Sequence, residues 1–387
     1  MATSITITSL GQVYKYGGLE GFIAFTLITL ALVLIVDKKW NSIDALLSKG
    51  YVSPILILCI VSLLICLFIA LFPSANAGEY GGGSDADDAL KVGAEAILSL
   101  SNPYHLQTYL GLPITPGLGA ILLSIPFYLL GNVSYQNFFW LLILILLIYK
   151  YFKNFNTTLI LCVFVYVINP LSLVQIITGV DHLTNGIYVF IPLLIFITLF
   201  HKKSQNKTLL FISAVMLGIS ISSRINFLFM IPILFAHIYH SSNYKQALKW
   251  TSVSTCTVLL LALPLYLNDP SSFTPVKNAA GRIGHNSEIL QISTIFVTLI
   301  AVITTGIVCL KRYNQTKTSI FFNFALVQII SISTTVFTRA SLSRNIEATD
   351  LITFDYGAFT IPFFAFVFIT KISANDDVLE HQSLRKT

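Results

Sequence analysis

Long apolar runs separated by short polar joints fill almost the whole chain. Runs at 21–36, 51–72, 135–149, 157–177, 185–200, 208–223, 225–240, 250–267, 291–310, 319–337 and 357–371 lack the period-two alternation of a half-buried strand. Their lengths suit helices that cross a bilayer. The pattern therefore predicts an all-α polytopic membrane protein, with about eleven full transmembrane helices in one domain over residues 1–387. A further apolar segment, 115–131, reads differently. Pro116, Gly117, Gly119, Pro126 and Gly131 weaken a straight helix there. It is predicted to be a re-entrant or interfacial helix within a first large extracytoplasmic loop, residues 73–134. A second outer loop is predicted at 268–290.

Composition sharpens this picture. Hydrophobic residues make up 55% of the chain, charged residues 10%, and mean hydropathy is +0.79. A soluble domain carries about 25% charged residues, so the solvent here is a bilayer, where only helices and closed barrels satisfy the backbone. The five cysteines, Cys59, Cys66, Cys162, Cys256 and Cys309, all fall in apolar segments, which suits lipid-facing or packing roles rather than a disulfide framework. The first 20 residues lack the basic start and apolar run of a cleavable signal.

Charge then orients the chain. Lys38-Lys39, Lys202-Lys203 with Lys207, Lys311-Arg312 with Lys317, and Arg385-Lys386 mark cytoplasmic joints. The loop 73–134 and Asp181 then lie on the outer face, provided that 115–131 does not cross. Four of the arginines, Arg224, Arg282, Arg339 and Arg344, fall on that face against the bias. Each alone suits headgroup snorkelling; together they suit an anion site, because guanidinium offers phosphate two donors at once. Apart from Lys371 at the very end of the last one, the spans carry no Asp, Glu, Lys or Arg, which argues against an ion-coupled transporter. The chain has neither a phosphate-cradling Gly-x-x-x-x-Gly-Lys loop nor a His-x-x-x-His metal spacing, and nothing in it suggests nucleic-acid binding.

The candidate chemistry gathers at polar joints. Behind Gly81–Gly83, Asp85, Asp87 and Asp88 precede a helical pattern running from Ala89 to Leu98. Crowded carboxylates repel, so at least one should have a raised pKa, as a general base requires. The same three suit a divalent cation, Mg or Mn, although arginines can replace it. They equally suit a solvated acidic loop with Asp87 or Asp88 as helix cap. Asp181, His182 and Asn185 form a second polar knot, readable as a turn or as an acidic motif facing the first. Arg224 sits between two apolar runs with almost no loop, where an unpaired charge is costly. A lipid phosphate or an outer Asp would satisfy it. The 268–290 loop, with Lys277, Arg282, His285 and Glu288, is either a flap or an ordinary connection. Asp350, Asp355 and Tyr356 lie where the last two spans meet the outer face, and either complete the anion site or anchor the helices.

The outer-loop aspartates, the helix behind them, Asn102-Pro103-Tyr104, then Tyr109-Leu110-Gly111-x-Pro113-x-x-Pro116-Gly117 and an apolar segment ending Leu130-Gly131 resemble the first outer loop of bacterial GT-C-fold glycosyltransferases. Gly179-x-Asp181-His182-x-x-Asn185 is similar to that fold's second acidic motif, and Ser222-Ser223-Arg224-x-Asn226 to a basic joint. The span 21–36 is additional to that pattern and puts the N-terminus outside. The resemblance implies an enzyme of the cell membrane whose active site is extracytoplasmic. It would move a sugar from a polyprenyl-phosphate-linked donor to a hydroxyl of a glycan or lipid acceptor. Asp85, Asp88 or Asp87 would be the base, with Asp85 and Asp88 favoured. Arg224, His182 and Arg282 would hold the donor phosphate, and Asp181 with Asn185 would form the second motif. The alternative is a flippase or transporter of a glycolipid or polysaccharide intermediate, which needs a polar stripe through several spans.

Overall fold

The computed structural model describes residues 1–48, 50–78, 84–202, 206–281, 287–310, 316–343, 351 and 353–384. Helices dominate, and no strand occurs among the described residues. Among the described residues, seven helices are long and apolar enough to cross a membrane. They include α2 (Leu10–Leu47), which follows a short α1 (Ala2–Thr8), and α3 (Val52–Asn76). The others are α6 (Gln136–Phe152) with the preceding turn, α9 (His182–His201), α12 (Tyr244–Asn268), the described part of α15 (Ser319–Ser343), and α16 (Ile361–Leu384) with the 3-10 turn Thr353–Thr360 before it. The chain is thus an all-α polytopic membrane protein.

Residues 157–177, expected to be one span, are broken. α7 (Phe155–Cys162) runs into a π turn (Val163–Val167) and is bent by 71° from α8 (Pro170–Thr178). The cause is local: Pro170 has no N–H to donate, and it holds Asn169 extended. α10 (Lys207–Ile221), α11 (Met230–Ser241), which follows a 3-10 turn at Ile225–Phe229, and the described part of α14 (Ser287–Leu310) are apolar but shorter.

The loop 73–134 folds as two short helices. α4 (Ala86–Leu98) lays Ala89, Leu90, Gly93, Ala94 and Ala96 against α5 (Leu118–Leu129). At 12 residues, α5 is about 18 Å long and too short to cross.

In lipid, helices gain little by hiding apolar surface from one another, so close backbone approach decides packing. A Cβ on Gly119 would stand 1.9 Å from the Ile219 carbonyl, and one on Gly117 would stand 2.0 Å from that of Ser222. These glycines let the start of α5 rest on the end of α10, where Gly117 N–H donates to Ser223 O at 2.8 Å. α9 is the central pillar, with 78% of its apolar window buried, against 6% for α2. The Phe190 ring meets those of Phe321, Phe363 and Phe366 at 5.3, 5.5 and 5.3 Å.

Side-chain contacts between distant residues sort to two ends of the bundle. Asn76–Asp87, His105–Asp269, Asp181–Arg224 and Gln12–Asp355 lie at one end. Asp44–Asn156, Asp37–Lys371 and His201–His237 lie at the other.

Candidate functional site

Asp85 is the N-cap residue of α4, but its side chain does not cap the helix. Its Oδ2 accepts instead from Thr108 Oγ1 at 2.8 Å, and Thr108 sits in the hairpin-like loop closed by the Gln107–Pro113 bridge. Asp88 accepts from the Tyr109 backbone N–H at 2.8 Å. Asp87 is buried and accepts from Asn76 Nδ2 at 3.1 Å, tying α4 to the end of α3. Burial, more than the charge of Asp88, pushes Asp87 up to about 6. The raised carboxyl expected from crowding is therefore present, with desolvation as its main cause.

Residues so close along one helix turn point in different directions, and each of the three acids has its own partner. Among the described residues, no group of three or more His, Cys, Asp or Glu side chains is arranged to hold a metal ion.

The second knot meets the first across a cleft of about 360 Å³. Asp85, Ala86, Ala89, Leu112, Pro113, Thr115 and Pro116 form one wall; His182, Arg224 and Tyr356 form the other. The cleft has two supports from the sequence motifs. Gly179 takes a left-handed conformation (φ +75°) that ends α8 and turns the chain into Asp181. The Tyr104 hydroxyl donates to Pro116 O at 3.3 Å, fixing the proline wall.

Arg224 Nη2 donates to Asp181 Oδ1 at 3.0 Å, with side-chain exposures of 10% and 1%. Burial pushes the arginine's pKa down, but the groups around it, the facing Asp181 carboxylate foremost, together push it up by more, and the guanidinium stays charged. Among the described residues nothing donates to Asp181 Oδ2, and Arg224 Nε is buried without an acceptor. The His182 ring stacks on Tyr356 at 4.3 Å between centroids, with Phe359 at its edge.

Asn185, grouped with Asp181 in the second motif, takes a different position. It is fully buried, does not line the cleft, and accepts from the Tyr188 hydroxyl. Asp355 turns away from the cleft to accept from Gln12 Nε2 at 2.7 Å, so only its neighbour Tyr356 reaches the site. Arg282, His285, Arg344 and Asp350 lie outside the described residues, as do Gly81–Gly83 and the basic joints at Lys203, Lys311-Arg312 and Arg385-Lys386.

The start of the 268–290 loop, which runs into the short helix α13 (Thr274–Gly281), is tied to the first loop. His105 Nε2 lies 3.1 Å from Asp269 Oδ2, Thr274 donates to the Ile114 carbonyl, and the Phe273 ring meets Tyr104 edge-on at 5.0 Å. Hydrogen bonds from Ser271, Ser272 and His105 hold Asp269 below the usual carboxylate range. This stretch is a docked connection rather than a free flap.

One residue was invisible to a reading based on formal charge. Gln328, fully buried in α15, accepts from Asn226 Nδ2 at 2.6 Å and donates to Asn226 O at 2.8 Å. It clamps the joint that carries Arg224. An amide in the middle of the apolar run 319–337, which also holds Asn323, was the available signal. No protein-family model matches this chain, and no curated protein or solved structure compared with it matches either.

Proposed function

We propose that the protein is a GT-C-type membrane glycosyltransferase that moves a sugar from a polyprenyl-phosphate donor to an acceptor hydroxyl on the extracytoplasmic face of the cell membrane. One observation carries this reading: Asp85, His182, Arg224 and Tyr356, far apart in the chain, line a single cleft at the polar end of a lipid-embedded bundle. The basic joints, which the positive-inside rule assigns to the cytoplasm, support the sidedness. The alternation of helix-end contacts supports eleven passes, counting the broken α7–α8 pair as one and including α10, α11 and α14.

In this mechanism Asp85 is the base. Its carboxylate takes the proton of the acceptor O–H, and that oxygen forms the new bond to the anomeric carbon from the face opposite the phosphate. The bond from the anomeric carbon to the phosphate oxygen breaks, and the phosphate leaves with the electron pair. Arg224 stabilises the charge that develops there, helped by His182. Asp181 keeps the guanidinium charged and aimed. Asp88 and Asp87 act by holding the loop and the helix that carry Asp85.

The test is transfer from a polyprenyl-phosphate sugar by the purified protein with Asp85, Asp87 and Asp88 each replaced by Asn. Asp85→Asn should lose most activity. Wild-type rates in all three variants would sink the catalytic reading.

A further inference from the structure

The span 21–36 has no place in the glycosyltransferase pattern, and the helix that contains it is scarcely buried. The residues before it are different. Ser4, Ile5, Thr8 and Ser9 are buried, although three of the four carry hydroxyls. They are buried because they dock on the turn Thr353–Thr360, which carries Tyr356. Ser4 Oγ lies 3.3 Å from Thr360 Oγ1. Thr8 packs so tightly on Gly357 that a Cβ there would stand 2.6 Å from its methyl. Gln12 donates to Asp355 at 2.7 Å, beside the residue whose ring stacks on His182. Ser9 donates to Asn169 Oδ1 at 2.8 Å, anchoring the same segment to the break between α7 and α8.

We propose that residues 4–12 are a positioning clamp for the cleft: Gln12 and Asp355 hold the 353–360 turn so that Tyr356 keeps its place over His182 and against the bound donor. This rests on the cleft being the reaction site. Neither Gln12 nor Asp355 touches the reacting atoms, so their effect passes through Tyr356. A half-buried side-chain pair at a turn restrains backbone opening, and opening is read by amide exchange.

The test uses the full-length protein in detergent or nanodiscs. Gln12→Leu should raise amide exchange across residues 353–360 at least tenfold and leave α9 unchanged. It should also raise KM for the polyprenyl-phosphate donor several-fold while kcat stays within about twofold. A reversed pair, Gln12→Glu with Asp355→Asn, restores a hydrogen bond with donor and acceptor exchanged and should return both readouts toward wild type. Unchanged exchange at 353–360 in Gln12→Leu would overturn the clamp, as would a fall in kcat with KM unaltered. If the wild-type protein transfers no sugar yet Gln12→Leu loosens 353–360, the clamp stands and the glycosyltransferase reading fails.

Discussion

Two polar knots at opposite ends of the bundle are built differently. At the end away from the cleft, Asn156 Nδ2 donates to Asp44 Oδ1 and Ser48 Oγ, both at 2.9 Å, while Ser53 donates to Asn156 Oδ1. That knot is closed: the amide has partners on both sides and holds α2, α3 and α7 together. The cleft end buries a full ion pair, Asp181 with Arg224, and among the described residues leaves a carboxylate oxygen and a guanidinium N–H without partners beside a cavity. Buried polar groups in proteins are normally satisfied. A closed knot is what stability requires; an open one beside a cavity is what a ligand requires.

The largest expected effect comes from opening the ion pair. Arg224→Ala should destabilise the protein by roughly 3–5 kcal/mol, because Asp181 would remain buried and uncompensated. The double variant Asp181→Asn with Arg224→Gln should recover most of that loss in thermal unfolding without recovering transfer. Recovery of both would make the pair merely structural.

Next is Asp85→Asn, which removes the base. Transfer should fall about 10²–10⁴-fold with little change in melting temperature, since Thr108 can still donate to the amide oxygen. A comparable loss in stability would move Asp85 to the structural side of the comparison.

Asp87 gives a smaller effect with a defined sign. Its folded-state pKa, about 6, lies above the ordinary carboxylate value, so the fold holds a proton that the unfolded chain releases. That contribution is fully present at low pH and is lost as pH rises through about 6. Melting temperature should therefore fall between about pH 4 and about pH 6 and level off above that, and Asp87→Asn should remove most of that slope, worth roughly 2–3 kcal/mol. An unchanged slope would mean that Asp87 is not the group responsible.

The smallest effect belongs to the closed knot. Asn156→Ala should cost roughly 1–3 kcal/mol by stranding its partners, and the rate of transfer by the folded protein should not change. A changed rate would erase the distinction between the two ends.

Most of the bundle was legible because lipid imposes one rule, long apolar helices, and α3, α9 and α12 obey it directly. The break at Asn169-Pro170 was written in the proline but masked by the apolar residues on either side. The cleft was legible as a set of joints: Asp85, His182, Arg224 and Tyr356 each interrupt an apolar pattern. Their division of labour was not. Three acids within four residues look alike in sequence, and only the partners Thr108, Asn76 and Tyr109 distinguish them. Those partners arrive through long-range folding, as do Gln328 and Gln12, which carry no charge to draw attention to them.

Ala86 lines the cleft beside Asp85. A cysteine placed there and probed with a membrane-impermeant maleimide on intact cells or spheroplasts, against the wild-type protein as background, tests the proposed site most directly. The account predicts labelling from outside and protection by a polyprenyl-phosphate sugar. Labelling only after the membrane is opened, or labelling indifferent to the donor, would contradict it.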